Sequence, residues 1–166
     1  MPIYTLSFDD VPTGAAKDVY TTIAALIVPD TAGNRCKIIG INAGSDDDVP
    51  ADHPISFRLA RIADVSAGTA GTASATVTGA NMAKTDPNSV DSIISGKVGY
   101  TVGNEPTAFE AKAVWQQPIN DRSGFIKEWP GIEGKIADRD MLIALQAAPR
   151  TNNIARVGGA IEFMTF

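Results

Sequence analysis

Residues 54–62 of the chain read PISFRLARI, and the apolar and polar side chains of this stretch alternate with the period of a β-strand. Successive side chains of a strand point to opposite faces, so Ile55, Phe57 and Leu59 share one face while Ser56 lies on the other. The stretch therefore predicts a strand with one buried and one solvated face, which is typical of an antiparallel sheet.

Five further segments alternate in the same way, and 15 glycines and 10 prolines punctuate the chain. These segments are 3–8 (IYTLSF), 35–43 (RCKIIGINA), 109–116 (FEAKAVWQ), 141–147 (MLIALQA) and 154–166 (IARVGGAIEFMTF). At least six short strands joined by turn-rich connections are typical of an antiparallel sandwich, jelly roll or barrel. We predict an all-β, jelly-roll-like antiparallel β-sandwich with an extended N-terminal arm and long loops. Residues 1–20 form the arm or a first strand, and residues 21–166 form a single sandwich domain.

One segment, 15–28 (AAKDVYTTIAALIV), is compatible with two kinds of secondary structure. Val19, Ile23 and Ile27 match the apolar stripe of a helix, whereas Ile23, Ala25 and Ile27 match one face of a strand. The threonines and the terminal Ile-Val pair favour the strand, because β-branched residues are enriched in sheets.

Two stretches, 64–82 and 117–139, are predicted to be long loops. The first is rich in Ala, Gly, Ser and Thr and is expected to hug the surface as an arm that a partner orders. The second carries large apolar side chains, which need cover from the domain's own end or from another subunit. The candidate contact residues of this second loop are Phe125, Ile126, Trp129 and Ile132.

The composition limits the classes of function. The chain has 166 residues, 44% of them hydrophobic, and a net charge of −5, so it can bury a core as one domain but offers no basic stripe for nucleic acid. Cys36 is the only cysteine, so no internal disulfide is possible. The N-terminus lacks the features of a signal peptide, and the apolar run near residues 23–28 is too short to span a bilayer. We expect synthesis in the cytoplasm and no membrane partner.

Asp46, Asp47 and Asp48 lie close in sequence to His53, the only histidine, and this cluster is the first place to look for chemistry. Consecutive aspartates on a strand point to opposite faces and do not converge on one ion. A calcium loop of the EF-hand type needs a glutamate at its twelfth position, where Phe57 stands. We interpret the cluster as a solvated loop, with weak calcium binding as the alternative.

The sequence predicts no enzyme, no cofactor and no small-molecule substrate. A catalytic triad has only His53 to use and no GxSxG elbow, while Cys36 falls on an inward strand face without an activating signal. Trp115, Trp129 and Tyr100 are candidates for a sugar-stacking platform. Trp115 is expected in the core, because it alternates with alanines, and Trp129 is expected to be an exposed contact.

Five stretches together resemble phage head decoration, or capsid cement, proteins of the jelly-roll/TNF-like trimer type. The stretches are GINAGSDDD (40–48), PISFRLARI (54–62), AGTAGTASATVT (67–78), NEPTA (104–108) and LIALQAAPRTNNIARVGGAIEFMTF (142–166). The resemblance implies a structural protein of the bacteriophage virion, a homotrimer on the capsid exterior that binds the major capsid protein and holds neighbouring capsomers together. It implies arms at 1–20 and 64–82 that lie over adjacent capsomers, and it makes the four apolar residues of 117–139 candidate subunit or capsid contacts. The alternatives are a tail, baseplate or fibre component and a carbohydrate-binding jelly roll.

Overall fold

The computed structural model describes most of the chain. The described residues are 1–31, 33–45, 54–65, 70–101, 103–120, 124–129 and 134–166. The strands are, in chain order, β1 (Ile3–Pro12), β2 (Thr21–Ile27), β3 (Cys36–Ser45), β4 (Pro54–Ile62), β5 (Ala73–Val77), β6 (Ala83–Lys84), β7 (Ser95–Tyr100), β8 (Trp115–Asn120), β9 (Phe125–Glu128), β10 (Lys135–Ala137), β11 (Leu142–Pro149) and β12 (Arg156–Thr165). A single turn of 3₁₀-helix lies at Gly79–Asn81.

Two antiparallel six-stranded sheets pack against each other. The first sheet has the order β10-β3-β12-β1-β6, with β9 also paired to β3, and the second has the order β5-β7-β2-β11-β4-β8. The pairs β1–β12, β2–β11, β3–β9 and β4–β8 alternate between the two sheets, as in a long hairpin rolled onto itself. This nesting is the jelly-roll arrangement, and the prediction of an all-β antiparallel sandwich is confirmed.

The inward faces of the two sheets form the core. On β1, Tyr4, Leu6 and Phe8 are buried, and the Tyr4 ring stacks on Phe163 of β12 with the ring centroids 5.5 Å apart. Each fully buried side chain of this size stabilises the fold by about 1.5–3 kcal/mol relative to an exposed one. The period-two pattern therefore predicted the inward residues of β1, β3 and β12 correctly. Residues 21–27 form a strand, so the strand interpretation of the ambiguous segment is also confirmed.

Residues 3–12 form a strand inside the first sheet rather than an extended arm. β1 pairs with β12 along one edge and with β6 along the other, and its apolar side chains are part of the core. The alternation of residues 3–8 favours this outcome, because an arm on a neighbouring molecule would leave those side chains exposed in the free chain.

The prediction that β4 and β11 bury only one face was wrong. Ser56 is 1% exposed although it lies on the outward face of β4, and all eight residues of β11 are buried. β11 is central in the second sheet, and other parts of the chain cover the outer face of that sheet.

The segment 109–116 is not a strand over its whole length. β8 begins only at Trp115, and the residues before it follow the end of β4 through hydrogen bonds from Glu110 N to Arg61 O (2.8 Å) and from Val114 N to Leu59 O (2.8 Å). The alternating Glu and Lys side chains of this stretch gave a strand-like pattern that the backbone does not follow.

The two segments expected to be loops contain short strands. β5 and the 3₁₀ turn lie within 64–82, while part of β8, all of β9 and all of β10 lie within 117–139. β7 was not predicted at all. These strands lie at or near sheet edges and bury little of their length, so they lack the alternation that marks a half-buried strand.

Across the described ranges, no helix is long and apolar enough to cross a membrane. In the same part of the chain, no group of three or more His, Cys, Asp or Glu residues is arranged to hold a metal ion.

Candidate interaction surface

The outer face of the second sheet is covered by the chain itself. Its outward residues Ala25, Leu142 and Ala144 are fully buried, and Phe109 and Val65 from adjoining segments pack against them. Apolar side chains on both faces explain why β11 reads as a nearly continuous hydrophobic run.

A polar network covers the other end of this outer face. The Gln146 amide donates to Thr22 Oγ1 (3.0 Å) and accepts from Arg58 Nε (2.8 Å), and the Arg58 guanidinium lies 3.8 Å from the centre of the Tyr20 ring. Burial lowers the pKa of Arg58, an effect that the neighbouring Tyr20 and Glu105 oppose. The Glu105 carboxylate accepts from Thr22 N (2.7 Å), so these polar groups are used in fixing the covering segment to the sheet.

The outer face of the first sheet is different, because its outward side chains are mostly half-buried or exposed. One row of directly opposed residues crosses four strands, and its members are Ile126, Asn42, Ala160 and Ser7. Ile126 is 78% exposed, and Asn42 and Ser7 are also exposed, whereas Ala160 is buried at 9%.

A shallow depression of about 600 Å³ lies beside this row. Glycines at 44, 124, 158 and 159 form much of its lining, with Ile126 at its rim. Gly159 has a φ of +154°, and a Cβ there would come within 2.2 Å of Asn42 O and 2.8 Å of Ala43 Cα. Position 159 therefore requires a glycine, because β12 approaches β3 too closely for a Cβ there. The missing side chain contributes to the open space of the depression.

A second depression, of about 440 Å³, lies further along the same face. Met1, Ile39 and Met164 line its apolar part. Lys37, Glu128 and Glu162 also line this second depression. Glu128 and Glu162 flank Gly40 in one row of the sheet, and the Glu162 carboxylate occupies the space that a side chain on Gly40 would take. The face thus offers two shallow depressions, one lined largely by glycines and one by apolar and charged side chains.

The four predicted contact residues lie in different environments. Ile126 is exposed, Ile132 lies outside the described residues, and Phe125 and Trp129 are buried at 8% and 4% exposure. The centroid of the Trp115 ring lies 5.5 Å from the ring centroids of both Phe125 and Trp129. The three rings therefore form one cluster that packs on the core. The expectation that Trp129 is exposed is therefore wrong, whereas the role of these residues in contacts with a partner stays a prediction.

Two lysines flank the buried Trp129. Lys127 Nζ and Lys135 Nζ lie 5.8 Å and 5.7 Å from the centre of its ring. Both ammonium groups lie within the range of a cation–π interaction, which keeps them at the sheet edge beside the indole.

The candidates for chemistry lie elsewhere or are buried. Asp46, Asp47, Asp48 and His53 fall outside the described residues, so the solvated-loop interpretation stays a prediction. Cys36 is fully buried, and burial raises the pKa of its thiol to about 12. A thiol with this pKa is protonated at neutral pH and is a poor nucleophile.

Sequence reasoning missed most of the outer face of the first sheet. Asn42, Ala160 and Ser7 are ordinary polar or small residues in strands, and nothing local sets them apart. The one available signal is the Gly158–Gly159 pair inside β12, because adjacent glycines in a strand interior mark a bulge or a close backbone approach.

No protein-family model matches the chain, and a comparison with curated proteins finds no match either.

Proposed function

We propose that the chain is a structural virion protein: a phage capsid decoration, or cement, protein that binds the outside of the major capsid shell and bridges neighbouring capsomers. The observation that carries the proposal is the difference between the two outer faces of the jelly roll. The chain covers the outer face of the second sheet with its own segments, whereas Ile126, Asn42 and Ser7 on the outer face of the first sheet are exposed.

The uncovered face has the properties of a protein contact surface. Burying the Ile126 side chain against a partner is worth about 1.5–3 kcal/mol, and the glycine-lined depression beside it leaves room for a partner side chain. The flanking carboxylates of Glu128 and Glu162 favour a partner that brings a basic or hydrogen-bonding group between them.

We expect the first partner of this face to be another copy of the chain. A contact between this face and a different surface of the next copy is heterologous, and such a contact closes into a ring when the rotation allows it. A homotrimer of this kind buries three copies of the face and leaves the covered sheets outside.

A trimer suits the bridging of capsomers. Three copies held together present every capsid-binding loop three times, so individually weak contacts add up to tight binding through effective concentration. This role needs extended contact area rather than an enclosed polar site, in keeping with the shallow depressions of the first sheet.

Co-sedimentation tests the proposal directly. Purified protein is mixed with capsid shells of the phage that encodes the chain and is pelleted through a sucrose cushion. We expect saturable binding to the shells, and weaker binding of Ile126→Asp because the variant loses trivalency.

Protein that stays in the supernatant at every shell concentration contradicts the proposal. Protein that binds isolated tails but not shells supports a tail component instead.

A further inference from the structure

The strand β5 is an unprotected sheet edge. It pairs with β7 on one side only, and no backbone hydrogen bond from any other described segment reaches residues 73–77. Its three central residues, Ser74, Ala75 and Thr76, are all exposed. An edge strand of this kind presents a row of free N–H and C=O groups to any chain that can add a strand.

The other edge strands each carry a feature that discourages pairing. β6 has two residues, one of which is Lys84, and β8 contains Pro118. β9 ends in Lys127 and Glu128, and β10 has three residues with Lys135 among them. Short length, proline and charge are the usual ways in which proteins block the addition of a strand to an edge.

No such feature protects β5, whose own five residues are uncharged. The sequence contains no charged residue between Asp64 and Lys84. Lys97 of β7 lies opposite Thr76, and its ammonium group donates a hydrogen bond to Gly71 O (2.8 Å). A charged strand would lose hydration here without gaining a partner, so the edge favours an uncharged strand.

We propose that β5 is a site of strand addition for the β5 of a second copy, which joins the two second sheets across a two-fold axis. The second copy carries the matching uncharged strand, and in a continuous sheet opposed residues must have their side chains on the same face. The register with full overlap of five residues is therefore centred on Ala75. It places Ser74 opposite the second copy's Thr76, a pair whose hydroxyl groups can hydrogen-bond.

This contact does not rest on the proposed function. It uses the free edge of the second sheet, whereas the proposed trimer uses the outer face of the first sheet, so both contacts can form in one assembly. Five residues bury little surface, so the pairing is weak in dilute solution and forms mainly where copies of the chain are crowded.

Disulfide trapping tests the register. In the full-length protein, Ala75→Cys is oxidised under mild conditions, and Gln116→Cys on the exposed edge of β8 is the matched control. The buried Cys36 does not compete, because it is inaccessible in the folded chain. We expect about tenfold more covalent dimer from Ala75→Cys than from Gln116→Cys, because paired strands hold the two thiols at high effective concentration.

Adding Thr76→Lys to the Ala75→Cys protein should abolish this excess, since an edge lysine blocks pairing, while the circular dichroism spectrum stays that of the parent. An Ala75→Cys dimer yield equal to that of the Gln116→Cys control overturns the proposal. Hydrogen-exchange protection of β5 that persists on capsid shells so sparsely occupied that copies of the chain cannot meet also overturns it, because the occupant is then the shell protein.

Discussion

Gly159 is the residue that brings β12 close to β3. A Cβ at this position would lie 2.2 Å from a backbone oxygen of the neighbouring strand, and backbone cannot move aside as a flexible side chain can. We therefore predict that Gly159→Ala lowers the free energy of unfolding by about 2 kcal/mol or more, measured by urea denaturation.

Gly44→Ala is the matched control on the same face. Its new Cβ would approach Gly124 Cα only to 3.2 Å, which a shift of a few tenths of an ångström relieves. If the two variants lose equal stability, the close approach of β12 to β3 is not the reason for the glycine.

Cys36 links stability to alkaline pH. Burial raises the pKa of its thiol from 9.0 to about 12, so the unfolded chain loses this proton at lower pH than the folded chain does. The contribution to stability is complete below about pH 9 and is lost as the pH rises from about 9 toward about 12, at up to about 1.4 kcal/mol per pH unit. We predict that urea denaturation gives a lower free energy of unfolding at pH 10 than at pH 8.

Cys36→Ala should remove the part of this decline that begins near pH 9. Burial also raises the pKa of Tyr100, so some loss of stability above pH 10 should remain in the variant. An unchanged slope between pH 9 and pH 10 would show that the Cys36 thiol is not the group responsible.

At the scale of an element, β9 divides its side chains between the core and the uncovered face. Phe125 points inward to a ring cluster and Ile126 points outward, with Trp129 buried just beyond the strand. We predict that Trp129→Ala costs about 3–5 kcal/mol of stability, because it removes a large buried side chain. Ile126→Ala should change the stability by less than about 0.5 kcal/mol, because its side chain is exposed.

Thermal and urea denaturation of the two variants check this division. A loss of stability in Ile126→Ala comparable with that in Trp129→Ala would mean that Ile126 is packed in the isolated chain and is not available to a partner.

The elements that sequence alone predicted well are those with one buried face. β1, β3 and β12 alternate cleanly because one face packs on the core and the other meets little or no cover. The position of β11 was predicted correctly, but the prediction that only one of its faces is buried was wrong, because segments distant in sequence cover its outer face. β5 and β7 were missed because a strand at or near an edge buries too little to show a period.

At the scale of the whole molecule, the candidate surface is the outer face of the first sheet, part of which is exposed. Ile126 was identified from sequence as an apolar side chain that needs cover, and the structure leaves it exposed. The rest of the face depends on strand order and register, which bring residues from β9, β3, β12 and β1 into one row. No local pattern contains that information, so the face could not be predicted from the sequence.

The outer faces of the two sheets differ in how far other segments of the chain cover them. Segments of the chain cover the outer face of the second sheet, whereas the first sheet has two shallow depressions and two exposed isoleucines, Ile126 and Ile136. We propose that a partner copy covers this face and that the surface therefore serves in assembly.

The native mass, measured by light scattering coupled to size-exclusion chromatography, tests this central claim most directly. We predict a mass of three 17.4-kDa chains for the wild type and for Val90→Asp, whose side chain is as exposed as that of Ile126 but lies outside the first sheet. Ile126→Asp should give the mass of one chain, because a charge cannot be buried unpaired in the contact. A wild type that remains a monomer at all concentrations, or an Ile126→Asp variant with the same trimeric mass, would contradict the account.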